Sequence, residues 1–214
     1  MNVAFELTGE MPLLMHADDV MASDTLTAWR RDPANKNVSV AGDDRSPAWT
    51  WQTYLYSDGE KVVLPSQNLM VAIRQAGAQI ILKKQKTYKE ISQSGLLIPT
   101  EYLDFFCGGQ AIPMSAINAM RDKPFAVQAE AVQKMGFRLF AKRAVIGKAK
   151  HVRVRPRFDK WSLAGTIRIL VPEITFDTLE TLFDLAGRVG LSDWRPGCKT
   201  PGPFGMFSAK LRKI

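Results

Sequence analysis

Two cysteines and two histidines are all the thiol and imidazole chemistry that this chain of 214 residues holds. Cys107 and Cys198 lie far apart and neither has a second Cys two residues away. That spacing excludes a zinc knuckle and a disulfide framework and fits a reducing, cytoplasmic compartment. No run of about 18 apolar residues occurs, which excludes a spanning helix, so no membrane partner is expected. Met1 to Thr8 lacks a basic region ahead of an apolar run and does not resemble a signal peptide. Walker-type, dinucleotide-type and Gly-x-Ser-x-Gly patterns are all missing. The acidic pairs Asp18-Asp19 and Asp43-Asp44 have diverging side chains and read as solvated loop positions, so neither metal nor cofactor is expected. Acidic residues are themselves few, 21 against 29 Lys and Arg, and a net charge of +8 favours a polyanionic partner.

What is present reads as an α+β chain. Val3, Phe5 and Leu7 alternate with polar residues and predict an opening strand. A polar excursion follows over residues 17–47, with a short helix near Thr25 to Arg31. Trp49 to Tyr56 and Glu60 to Leu64 read as a hairpin about Ser57-Asp58-Gly59. Ser66 is placed as the cap of a helix with Leu69, Met70, Ile73 and Ala76 on its apolar stripe, and a basic helix is expected through Lys83 to Ile91. A helical insertion is expected over about 105–136. Lys148 to Pro156 and Ser162 to Val171 read as a second hairpin. Asp177 and Glu180 form a capping box ahead of Leu179, Leu182, Phe183 and Ala186, and Met206 to Arg212 gives a last strand. This order predicts one ferredoxin-like or RRM-like domain over 1–214, an antiparallel sheet with helices on one face and insertions.

Between Arg138 and Lys160 stand Arg138, Lys142, Arg143, Lys148, Lys150, Arg153, Arg155, Arg157 and Lys160 against one acid, Asp159. On a strand, His151, Arg153, Arg155 and Arg157 share a face, with neighbours about 6.6 Å apart, near the phosphate spacing of an extended single strand. Such a row supplies affinity without base choice. Phe137, Phe140, Phe158 and Trp161 are available for base stacking. The plain alternative is a solvated strand face with core aromatics. A second candidate contact is the loop from Gly190 to Gly205. There Gly202 and Gly205 let backbone N–H groups approach a phosphate, Arg195 and Lys199 supply charge, and Trp194 offers a stacking face. Its alternative is a connector with Trp194 in the core and Asp193 paired with Arg195.

Three segments together carry a resemblance. They are Thr8-Gly-Glu-Met-Pro-Leu-Leu-Met-His16, Val152-Arg-Val-Arg-Pro-Arg-Phe-Asp-Lys-Trp161-Ser-Leu163, and Gly190-Leu-Ser-Asp-Trp-Arg-Pro196 with Gly202-Pro-Phe-Gly205. They resemble a group of uncharacterised bacteriophage and prophage proteins. More distantly, the strand, helix, glycine-rich loop and strand at the end are similar to the RAMP superfamily of CRISPR effector subunits. The resemblance implies an RRM-like core, RNA or single-stranded DNA as ligand, and side-by-side assembly of identical subunits or a ribonucleoprotein. It places Gly202 to Gly205 as the glycine-rich loop, although Pro201 and Pro203 interrupt the usual pattern.

A non-enzymatic single-strand binder is therefore the leading expectation. A RAMP-type metal-independent endoribonuclease is the second, with His16 or His151 as the proton-transfer group. A phage-encoded protein that inhibits host CRISPR complexes by touching protein is the third, and the positive charge argues against it.

Overall fold

A computed structural model describes residues 1–146 and 149–214 and shows an α+β protein. Lys148, one of the expected contacts, lies outside the described residues. In chain order the elements begin with β1 (Asn2–Gly9), β2 (Leu13–Leu14), α1 (Val20–Arg31), β3 (Val63–Pro65), α2 (Ser66–Gly77), β4 (Ile81–Lys83), β5 (Lys86–Thr87), α3 (Lys89–Ser94) and β6 (Leu96–Leu97). They continue with β7 (Tyr102–Cys107), α4 (Met114–Asn118), α5 (Phe125–Lys134), β8 (Arg138–Ile146), β9 (Ala149–Phe158), β10 (Trp161–Ile169), α6 (Phe176–Val189) and β11 (Phe207–Lys213). The chain divides into two compact units, one of residues 1–13, 63–111 and 159–214 and one of residues 14–62 and 112–158.

The first unit is a sheet in the order β11-β1-β10-β7-β3, with β6 added beside β10 and every adjacent pair antiparallel. Helix α2 separates β1 from β7 in sequence, α6 separates β10 from β11, and each crossover skips one strand, as in split βαβ units. The alternation read in β1 holds: Val3, Phe5 and Leu7 are buried, and Val3 and Leu7 face Ile167 and Leu163 across the ladder. On α6, Leu179, Leu182, Phe183 and Ala186 are buried, with the Phe183 ring 5.5 Å from Phe5. A fully buried Leu or Phe of this kind contributes about 1.5–3 kcal/mol. The other sheet face, with Glu6, Thr8, Tyr102, Asp104, Phe106, Arg168 and Lys210, is half-buried to exposed.

The cap of α6 is Thr175, not Asp177: its hydroxyl accepts from Thr178 N at 3.2 Å, because the helix begins two residues earlier than the acidic pattern implies. Thr175→Ala is expected to cost about 1 kcal/mol of stability in denaturant melts, with Asp177→Ala closer to neutral. At α2 the cap position is Pro65 and Ser66 is the first helical residue, with no side-chain cap. The basic helix expected at Lys83 to Ile91 is instead the β4–β5 ribbon followed by the short α3.

The second unit departs most from the sequence expectation. Trp49 to Tyr56 does not form a strand; residues Thr50–Tyr54 make a 3-10 turn. The hydroxyls of Thr50 and Thr53 donate to the carbonyls of Pro47 and Thr50, and Trp51 is wholly buried with its indole N–H on Gln128 Oε1 at 2.7 Å. Burial of the indole overrides the β-propensity of the segment. Strand β9 also does not pair with β10. It lies between β2 and β8, and pairs with β8 in an unbroken register from Arg138↔Arg157 to Ile146↔Ala149. The apolar side of β9, with Val154 and Phe158, packs on Phe137 of the same unit, the two Phe rings stacked at 4.9 Å.

Candidate nucleic-acid interface

The β8–β9 ladder determines which cations stand together, because directly opposed residues share a face. The register opposes Arg138 to Arg157, Phe140 to Arg155, Lys142 to Arg153 and Ala144 to His151. One face therefore carries Arg138, Lys142, His151, Arg153, Arg155 and Arg157, a grid two strands wide rather than a single row. The parity expected for His151 to Arg157 is present: these four are half-buried, while Val154, Pro156 and Phe158 point into the core. Arg138 and Lys142 are exposed, and the Arg157 guanidinium lies 5.7 Å from the centre of the Phe140 ring. Lys150 is exposed near the hairpin tip and, opposite Val145, belongs to the reverse face.

The residues flanking β9 on its other edge qualify the open row expected from the sequence. Segment 42–44 runs parallel to it, with Val152 N donating to Gly42 O at 2.8 Å and Asp44 N donating to Val152 O at 2.9 Å. This brings Asp44 under Arg153. The Asp44 carboxylate is only 3% exposed; it takes Arg153 Nη1 at 3.3 Å on Oδ1, and Val154 N and the Tyr54 hydroxyl, both at 3.1 Å, on Oδ2. Arg153 Nη1 also donates to the Tyr54 oxygen at 3.2 Å. Burial pushes the Tyr54 phenol above its ordinary pKa and the Asp44 charge adds to this, so the hydroxyl stays protonated as a donor at neutral pH. Arg153 is thus tied into the fold, and Asp44, expected in a solvated loop, is a buried structural acid.

The other predicted contacts separate. Trp161 is 3% exposed, with its indole N–H on Met11 O at 2.9 Å and its ring against Phe207, so it is core of the first unit and not a stacking face. Lys160 is exposed in the same unit, in the turn before β10. In the glycine-rich loop the expected phosphate-facing N–H groups are already used: Gly197 N donates to Val189 O, Gly202 N to Arg195 O and Gly205 N to Pro12 O. A Cβ at Gly205 would collide with the Leu191 backbone and one at Gly202 with the Trp194 ring, so these glycines allow the loop to pack on itself. Arg195 Nη1 donates to Gln75 Oε1 at 2.7 Å, Trp194 packs beside Phe204, and Lys199 is exposed.

His16 stands edge-on to Tyr54, ring centres 4.5 Å apart, in a cleft of about 200 Å³ that Arg153, Asp18 and Asp19 also line. Asp19 is occupied as the cap of α1, accepting from Met21 N and Ala22 N. His151 lies against Gly42. Among the described residues no group of three or more His, Cys, Asp or Glu could hold a metal ion, and no helix is long and apolar enough to cross a membrane. The Asp44 and Tyr54 partners of Arg153 carried no sequence signal, since both come from more than 90 residues away. No protein-family model and no curated protein matches this chain.

Proposed function

We propose that the chain binds single-stranded RNA or DNA through phosphates laid along the β8–β9 face, and that it does so as a binding protein without altering the strand. The observation that carries this is the placing of Arg138 opposite Arg157 and Lys142 opposite Arg153 in one ladder. Like charges directly opposed across strands destabilise a sheet. A polyanion offsets that repulsion, and the release of its condensed counterions adds affinity that does not depend on base sequence. Within the grid, Arg153 is shared with Asp44. The experiment is a titration of labelled single-stranded RNA, single-stranded DNA and duplex against the protein at several salt concentrations. Tight binding of the single strands, weakening steeply with salt, supports the proposal; affinity that is absent or independent of salt removes it.

A second reading rests on the cleft of His16, Tyr54 and Arg153, which brings an imidazole, a phenol and a guanidinium together. Those groups suit proton transfer and charge stabilisation at a phosphodiester. Metal-independent cleavage of hairpin RNA that His16→Ala abolishes would favour this reading. RNA left intact by protein that binds it leaves the binding reading in place.

A further inference from the structure

A separate cavity of about 320 Å³ lies in the second unit between Trp29 of α1, the segment Arg45–Trp49, and the turn carrying Arg121 and Lys123. This is the lower end of the size range of small-ligand sites. Two indoles and three basic side chains line it, against Asp122 as the one acid. We infer that this cleft receives one unstacked base of the bound strand, an inference that rests on the proposed single-strand binding and adds a base-holding position to it.

The planar surfaces are unequal. Trp49 is 7% exposed and the Arg121 guanidinium lies over its ring, 4.1 Å from the centre, so Trp49 is the floor. Trp29 is half-buried, with part of its ring accessible. Trp29 and the outer plane of Arg121 are thus the two flat surfaces on which a base can stack, as bases do on indole and guanidinium planes in single-strand complexes.

The site is built rather than incidental. Gln128, wholly buried, donates from Nε2 to the carbonyls of Arg121 at 3.2 Å and Lys123 at 2.7 Å, while its Oε1 accepts from Trp51. The basic turn is thereby fixed to the core. Arg45 is spent on Asp43, through Nε at 2.9 Å and Nη2 at 2.6 Å, a pairing that holds the Asp43 carboxyl below its ordinary pKa. The charge available to a phosphate flanking the base therefore comes from Arg121 and Lys123. The cleft segment Arg45–Trp49 also follows directly on residues 42–44, which are hydrogen-bonded along the edge of β9. The ladder and the cleft belong to the same unit.

The test measures binding of a single-stranded oligonucleotide to the wild type, to Trp29→Ala and to Trp29→Phe, alongside oligonucleotides with abasic sites. Trp29→Ala is expected to lose about tenfold in affinity with an unchanged salt slope. Trp29→Phe, which keeps a ring, should retain most of it. Oligonucleotides abasic throughout should bind wild type and Trp29→Ala equally. Equal affinity of wild type and Trp29→Ala for the intact strand, at the wild-type salt dependence, overturns this inference alone. Failure of the wild type to bind any strand overturns both this and the parent proposal. Quenching of Trp29 fluorescence by a polyglutamate peptide but not by the oligonucleotide overturns it as well, assigning the cleft to acidic protein.

Discussion

Neutralising Arg138, Lys142 and Arg157 together, each to Gln, is expected to lower single-strand affinity by about 10²-fold at about 0.1 M salt and to flatten the plot of log K against log salt by about 2. The magnitude follows from counterion release, about 0.7 in slope for each phosphate contact on a single strand. What makes the variant diagnostic is its stability. Arg138 and Arg157 face each other across the ladder, as do Lys142 and Arg153, so the substitutions remove repulsion. Melting is therefore expected to change by less than about 1 kcal/mol, the relieved repulsion offsetting the contacts these side chains make within the fold. Loss of binding with stability kept is the pattern of cations that serve a ligand; equal loss of both would mark them as structural. Circular dichroism melts and anisotropy titrations on one preparation measure the two together.

The opposite pattern is expected at Asp44. Asp44→Ala deletes a carboxylate that holds Arg153 Nη1, Val154 N and the Tyr54 hydroxyl at once, leaving a half-buried guanidinium without its counter-charge and a strand N–H without its acceptor. Removing one partner of a fully buried pair costs about 3–5 kcal/mol; with Arg153 at 30% exposure the expected loss is about 2–4 kcal/mol. Arg153→Met should also destabilise, because the nearly inaccessible Asp44 charge is left with neutral donors only. Urea melts of these two variants and of their combination measure the coupling. A double variant less destabilised than the sum of the singles is the result that the geometry requires. Charge reversal at Arg153 would therefore report on folding as well as on binding, which is why it is absent from the triple variant.

The contrast between these two sites reflects what the sequence could carry. Period-two burial in β1 and the apolar stripe of α6 were legible because each is a local pattern against one sheet. Parity on β9 was legible for the same reason, and so His151, Arg153, Arg155 and Arg157 were placed on one face. Pairing was not. Nothing local distinguishes β8 from β10 as the partner of β9, and the choice is made by where Phe158 and Trp161 bury, the first with Phe137 and the second with Met11 and Phe207. The residues 17–47 and 105–136, read as interruptions of one domain, lie largely in the second unit with the β8–β9 hairpin. The glycine-rich loop had the composition of a phosphate cradle, but composition does not tell whether backbone N–H groups are already bonded, and those of Gly202 and Gly205 are. Asp44, Trp29 and Arg121 acquire their roles only through contacts distant in sequence.

The path of the strand is the central claim, and photo-cross-linking tests it most directly. Single-stranded RNA or DNA carrying thio-substituted bases should cross-link to peptides spanning residues 138–157 and to the peptide containing Trp29. Cross-links confined to the open sheet face of the first unit, around Tyr102 and Phe106, would contradict it.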